Sequence, residues 1–374
     1  MSNKGSLPVS AIRDRTEVRG TYLVRNKMLR TARNGKPYLS IDLGDTTGTV
    51  AARAWDDAER YDRECDLGDV VSLAGRATSF QGQIQVNIDA LERVPPEAIV
   101  LEDFLPSSDF DLDGMFDRLR AVANDVGDPW VRRLLHAVFE DPDFSRRLRV
   151  APAAKMVHHA YLGGLVEHSL SMSLMALRFH DHYDKLYPGL LDRDLLVAGA
   201  ILHDLGKVME IGVNAGFDYT VEGQYIGHIV QGVELIGRKI DAIEGFPTET
   251  AMRLKHLIVA HHGKMEFGSP RTPAMAEALV LHHIDVVDAR MNGLDALFRA
   301  DQGREFTRYD RILEGAFANP YVGILGDDGG PGLPQRDPAW LDSAEESAAP
   351  RAPRKLRKEN SGNEDAGSDN LSLF

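Results

Sequence analysis

The chain divides by the period of its apolar positions. Between Thr16 and Val94, apolar and polar residues alternate: Tyr38-Leu39-Ser40-Ile41-Asp42-Leu43 and Ile84-Gln85-Val86-Asn87-Ile88 put every second side chain on one face, as half-buried strands do. The pattern predicts five strands, at Thr21–Arg25, Tyr38–Leu43, Thr49–Trp55, Val70–Phe80 and Ile84–Leu91, with turn signals at Asn34-Gly35 and Gln81-Gly82. From Leu112 to Phe317 the period lengthens to that of helices. Leu165, Leu170, Leu174 and Leu177 stripe a helix predicted over Gly163–His182, and others are expected at Asp194–Leu205, Ile226–Ile243, Thr248–His261 and Pro273–Phe298. Asp111-Leu112-Asp113 and Asp128-Pro129-Trp130 read as helix entries. From Gly326 onward Gly, Pro, Ser and Asp dominate, a composition that cannot build a core.

The expected organisation is therefore an arm (1–15), an all-β domain (16–95), a linker opened by Pro95-Pro96 (96–111), an all-α domain (112–325) and a disordered tail (326–374). Five strands in about 80 residues suit a small closed barrel. The OB-fold, which has five strands and a face for single-stranded nucleic acid, fits best.

Charge sharpens that expectation. The chain carries −14 overall, yet Met1–Trp55 holds ten Lys and Arg against four Asp and Glu, a local +6. A basic, aromatic barrel face is a candidate contact for a polyanion. Tyr22, Tyr38, Trp55 and Phe80 are its candidate stacking platforms, and Arg25, Lys27, Arg33 and Lys36 its candidate phosphate contacts. Each aromatic taken singly also suits the barrel core, which needs large side chains. No apolar run is long enough to span a bilayer, and Met1–Ser10 lacks the apolar core of a signal peptide, so a cytoplasmic location and no membrane partner are expected. Cys65 is the only cysteine, which leaves His, Asp and Glu as the donors for any metal.

All thirteen histidines fall between His136 and His283, clustered at separate helices. A buried core rarely keeps so many imidazoles without metal or proton chemistry. The sharpest element is His203-Asp204-Leu205-Gly206-Lys207, at the end of the apolar run Leu195–Leu202. It offers a neutral nitrogen and an anionic carboxylate from adjacent positions. Two carboxylate oxygens can bridge two ions that clamp the attacking and leaving oxygens of a displacement at phosphorus. Lys207 can reach back to neutralise charge developing there.

The runs Met156–Ser169, Gly223–Ile229, His261-His262-Gly263 and Leu281–Ala289, with His203-Asp204, resemble those of HD-superfamily phosphohydrolases. In particular the chain resembles the YhaM-type 3′–5′ exoribonucleases, which pair an N-terminal OB-type domain with a C-terminal HD domain. The resemblance spans Thr16 to Tyr321. It implies a first metal held by His168, His203, Asp204 and Asp285, and a second held by His228 and His261 with Asp204 bridging. It also implies a phosphate contact from Lys207. His262 would ligate or hold a phosphate, while His158 and His159 would line the channel or serve structure. His282, His283 and Asp288 would support the site or stand apart from it, and His136, His180, His182 and His256 belong to packing or surface.

Oxygen and imidazole donors suit two divalent ions, with manganese favoured over iron, cobalt, magnesium or zinc. The implied reaction is 3′–5′ hydrolysis of single-stranded RNA, with single-stranded DNA as a further substrate, by metal-activated water. Two other functions use the same residues: hydrolysis of nucleotides or cyclic dinucleotides, and nucleic-acid-dependent regulation with a sensing HD domain. The chain ends in Asn370-Leu371-Ser372-Leu373-Phe374, which resembles the peptide that docks bacterial DNA-processing proteins on the sliding clamp, with Asn for the usual Gln. Leu371, Leu373 and Phe374 would be its docking side chains.

Overall fold

The computed structural model describes residues 5–156, 158–301, 303–322 and 334–342. Strands β1 (Glu17–Thr31), β2 (Pro37–Asp45) and β3 (Gly48–Ala54) are followed by helix α1 (Ala58–Glu64), then β4 (Val70–Phe80) and β5 (Gln83–Arg93). They close a barrel in the order β1-β2-β3-β5-β4, antiparallel except where β3 meets β5. The alternating apolar positions point inward: Val24, Leu39, Ile41, Leu43, Ala52, Val71, Leu73 and Val86 are all buried in one core.

β1 extends well beyond the expected Thr21–Arg25 because it serves two neighbours. Its first half pairs with β4 and its second with β2, and the register shifts between Val24 and Asn26. Such a bulge turns the strand around the barrel. Helix α1 was not expected: with seven residues and only Ala58 and Tyr61 buried, it is too short to show a period.

The linker is not slack. Its Phe104 and Leu105 are buried with Leu23 and Val70 of the barrel and Leu162 of the helical domain. This seam removes apolar surface of both domains from water at once.

The helical domain runs through α2 (Leu112–Asn124), α3 (Pro129–Phe139), α4 (Pro142–Val150), α5 (Gly164–Leu186), α6 (Arg193–Leu202) and α7 (Lys207–Glu210). A hairpin of β6 (Ile211–Val213) and β7 (Phe217–Tyr219) follows, then α8 (Val221–Ile226), α9 (His228–Asp241), α10 (Thr248–Ala260) and α11 (Ala276–Ala300). Asp111 and Asp128 cap α2 and α3 by accepting from Gly114 N, and from Trp130 N and Val131 N. Every residue of α6 from Leu195 to Leu202 is buried, so α6 is the central helix, with α5, α10 and α11 packed around it.

The helix expected over Ile226–Ile243 is α9, which opens at His228 because Gly227, at φ +77°, ends the preceding α8. One expectation is corrected. In the tail expected to be disordered from Gly326, residues 334–342 are placed against the helical domain. Trp340 and Leu341 pack on its core, Trp340 sits 5.4 Å from Phe110, and Arg118 donates to the Leu341 carbonyl. The remaining tail positions, with Leu371, Leu373 and Phe374, lie outside the described residues. Among the described residues, no helix is long and apolar enough to cross a membrane.

Candidate metal centre

Asp204 lies just beyond the end of α6, at the buried centre of the domain. Its carboxylate has two differently furnished sides. Oδ2 faces His168 Nε2 at 3.6 Å and His203 Nε2 at 3.5 Å, with Asp285 Oδ1 3.4 Å from His168 Nε2. Oδ1 faces His261 Nε2 at 3.4 Å and His228 Nε2 at 3.6 Å. His168, His203 and Asp285 bring donor atoms within 4.8 Å of one another, and so do His228, His261 and His262. These donors come from α5, the α6 terminus, the start of α9, the end of α10 and α11, so only the folded domain assembles them.

Local backbone makes the approach possible. A Cβ on Gly206 would stand 1.9 Å from the His228 carbonyl oxygen, so the turn after Asp204 and the start of α9 can touch only through glycine. Gly227, at positive φ, then aims His228 back at Asp204.

The hydrogen bonds assign the tautomers. His203 Nδ1 donates to the Ala200 carbonyl (3.1 Å), His261 Nδ1 to the Ile258 carbonyl (2.7 Å) and His228 Nδ1 to the Glu210 carboxylate. His168 Nδ1 donates to Asp288 Oδ2 at 2.7 Å. With the proton held on Nδ1, Nε2 of His203, His228 and His261 each presents a lone pair to the centre, while His168 Nε2, 3.2 Å from His203 Nε2, carries a second proton. His228 Nε2, His261 Nε2 and Asp204 Oδ1 are buried and have no hydrogen-bond partner among the described residues. Orphaned buried acceptors are costly. Two nitrogen lone pairs and a carboxylate oxygen facing one point are satisfied by a cation. Ligand bonds of about 2.0–2.2 Å set neighbouring donors roughly 3–3.5 Å apart, close to the separations here.

Charge supports the same fit. Asp204 and Asp288 are buried and Asp285 is half-buried beside them, with Lys207 Nζ 2.6 Å from Asp204 Oδ2. Burial alone would raise the Asp204 carboxyl; Lys207 and His203 outweigh it and hold the group well below the usual carboxylate range. Burial likewise opposes the charged forms of Asp285 and Asp288, but hydrogen bonds from His168, and for Asp288 also from His159, keep both ionised. Burial opposes a proton on His168, yet Asp285 and Asp288 push its pKa up to about 10. A cation on Nε2 would take that proton's place.

The remaining expected residues separate. Lys207 is buried against Asp204, at the edge of the cluster. Burial, then Lys207, pushes the His158 pKa down to about 4, and burial, then His261, does the same for His262, so both are neutral at pH 7. His159 is not beside the centre: its Nε2 is 3.0 Å from Asp288 Oδ2, one residue behind His168. Sequence reasoning gave no role to Glu210, which orients His228; its place three residues after Lys207 was the available signal. It left Asp288 without a definite role. Asp285 and Asp288 are one turn apart on α11 and grip the two nitrogens of the same His168 ring.

On the barrel, three expectations fail for a shared reason: the side chains are already engaged. Tyr22 is a core residue, 1 % exposed, and its hydroxyl donates to the Leu7 carbonyl. Arg25 sits in the β1 bulge, folds over Gly44, and donates to the Asp45 and Phe104 carbonyls, tying barrel to linker. Lys27 caps α1 by donating to the Asp62 and Cys65 carbonyls and pairing with both Asp62 and Asp66. Arg33 and Lys36 are exposed on the β1–β2 turn. Tyr38 and Trp55 stack at 4.8 Å and 24°, with Trp55 49 % exposed, and Phe80 is 60 % exposed at the tip of β4. Lys36, Trp55, Arg60 and Arg63 line one shallow depression beside that stack, together with the carboxylates of Asp56, Asp57 and Glu59.

Known proteins agree with this division. Residues 18–94 match the OB-fold nucleic acid binding domain and residues 165–290 the HD domain. The chain is 34 % identical over 293 residues to the 3′-5′ exoribonuclease YhaM of Oceanobacillus iheyensis, covering 78 % of this chain and 90 % of that protein. The same name is carried by a Bacillus pumilus protein that is 34 % identical over 78 % of this chain and 91 % of its own length. With both domains present in the same order, the chain belongs to the YhaM family of 3′–5′ exoribonucleases.

Proposed function

We propose that this protein is a metal-dependent exonuclease that removes nucleotides from the 3′ end of single-stranded RNA. The observation that carries the reading is the two-sided Asp204, with imidazole lone pairs gathered at each oxygen. His168, His203, Asp285 and Asp204 Oδ2 would hold one ion; His228, His261 and Asp204 Oδ1 a second, with His262 beside it. Bound there, divalent ions supply an activated water and a Lewis acid for the leaving oxygen. All the donors are oxygen or imidazole, which suits manganese and also admits iron, cobalt, magnesium or zinc.

The chain's own residues do the rest. Asp288 and Glu210 fix His168 and His228 so that the lone pairs need not reorganise. Lys207, held at the edge of the cluster by Asp204, is placed to donate to a non-bridging phosphoryl oxygen and offset its developing charge. His158 stays neutral, so it can accept or donate a hydrogen bond at the same edge without adding charge. No side chain needs to form a covalent bond with the substrate. On the barrel, the exposed Tyr38–Trp55 stack offers an aromatic face to unpaired bases, and Arg33 and Lys36 meet phosphates.

The test is to incubate the protein and manganese with 5′-labelled single-stranded RNA, the matching DNA, and free nucleotides. Progressive shortening of RNA from the 3′ end is expected. Hydrolysis of free nucleotides alone would replace this reading with a nucleotide phosphohydrolase, and tight strand binding without turnover would replace it with a regulatory binding protein.

A further inference from the structure

Behind His168, beyond Asp288, runs a chain of buried and half-buried polar groups to which the proposed reaction gives no role. Asp288 accepts at Oδ2 from His168 Nδ1 (2.7 Å) and His159 Nε2 (3.0 Å), and at Oδ1 from the Ser171 hydroxyl. His159 Nδ1 lies 2.8 Å from the Tyr161 hydroxyl and 3.3 Å from Asn292 Nδ2, which also donates to that hydroxyl at 3.1 Å. Arg336 pairs with Asp295 at 3.1 Å and, at 3.0 Å, with Glu167, whose carboxylate lies 3.7 Å from His159 Nδ1.

The donor directions are consistent from end to end. Asn292 Oδ1 accepts from the His159 backbone N–H, so its Nδ2 donates to the Tyr161 oxygen and to His159 Nδ1, and Nδ1 is an acceptor; Arg336 neutralises Glu167, the carboxylate that would otherwise draw the proton to Nδ1. That leaves the His159 proton on Nε2, directed at Asp288. Asp288 is thereby filled by donors and in turn holds the His168 proton on Nδ1, leaving Nε2 for a metal. A wrong tautomer anywhere along this line would place two donors or two acceptors face to face.

Two further features argue that this order is built. His159 holds φ = +50°, a strained region for a side-chain-bearing residue. It is kept there by its backbone N–H donating to Asn292 Oδ1 at 2.8 Å. Arg336 comes from the placed segment 334–342, which is bound to this face by Trp340 against Phe110 and by Arg299 donating to the Pro334 carbonyl.

We propose that Arg336, Tyr161 and His159 are positioning residues that act through Asp288 on His168. The segment around Arg336 thereby sets how tightly the first metal position is held. This rests on the reading of His168 as a metal ligand, but not on the identity of the substrate.

The test measures manganese binding to the full-length protein by calorimetric titration, alongside thermal melting, RNA binding and turnover. Arg336→Ala and His159→Phe are each expected to weaken one class of manganese site by about 10- to 100-fold. RNA affinity should be unchanged, and Arg336→Lys should restore part of the loss. Asp204→Ala, in the same assay, reports whether the centre binds metal at all. If Asp204→Ala abolishes binding while Arg336→Ala and His159→Phe bind manganese as wild type does, the relay is refuted and the metal centre stands. If Asp204→Ala leaves binding intact, the metal reading and the relay both fall. If Arg336→Ala melts much earlier, Tyr161→Phe decides, since it removes only the hydroxyl that faces His159 Nδ1. Weakened manganese binding at unchanged melting temperature supports the relay, and wild-type binding overturns it.

Discussion

The barrel and the helical domain treat their polar side chains in opposite ways. In the barrel, most charged and hydroxyl groups that look available are used internally: Lys27 caps a helix, Arg25 ties the barrel to the linker through Nη2 although its Nε has no partner among the described residues, and the Tyr22 hydroxyl closes on Leu7. In the helical domain, His228 Nε2, His261 Nε2 and Asp204 Oδ1 are buried, have no hydrogen-bond partner among the described residues, and converge on one point. Residue type tells what a side chain can do; where its free bonding capacity is directed tells what it is for. Free capacity at a buried position is costly, and several such atoms turned toward one point mark a candidate site for a ligand.

The contrast can be broken most severely at Asp204. Replacing it with Ala should cut turnover by roughly 10²–10³ or more, measured on end-labelled RNA with manganese, while strand affinity measured by anisotropy stays at the wild-type value. Equal loss of both would dissolve the division of labour between the domains. Next comes the barrel face. Trp55→Ala should weaken strand binding by about 1–3 kcal/mol and raise KM with little change in kcat.

Smaller effects separate free from engaged groups within the barrel. Lys27→Met should cost about 1–3 kcal/mol of stability, read by denaturant unfolding, and leave strand affinity unchanged. Tyr22→Phe should cost about 1 kcal/mol and likewise leave affinity alone; a strand-binding defect in either would return that residue to the interface. The smallest effect concerns Cys65. Burial pushes its thiol up to about 11, so at pH 8 the native protein should react with a thiol reagent far more slowly than the unfolded chain.

Much of this was legible in the sequence, and for reasons that can be named. The barrel core follows a period of two, so Leu39, Ile41 and Leu43 betray their face without any neighbour. The candidate metal donors were legible because His203-Asp204 and the separated histidine clusters resemble the HD pattern; the single cysteine says only that thiolates take no part. What stayed hidden depends on contacts between distant residues. Nothing near Arg25 says that a bulge will fold it onto Phe104, 79 residues away. Gly227 sits between two helices at a positive φ, and nothing in the apolar period says that the chain turns there so that His228 faces Asp204. Arg336 lies in a Gly- and Pro-rich stretch that reads as structureless, and its partners Glu167 and Asp295 are more than forty positions away.

The central claim is that Asp204 stands between two cation positions. Anomalous diffraction at the manganese edge from crystals grown with manganese tests it directly. The account predicts two peaks, one among His168, His203 and Asp285 and one among His228, His261 and His262, each bonded to a different oxygen of Asp204. A single peak, or peaks that leave Asp204 unbound, would contradict it.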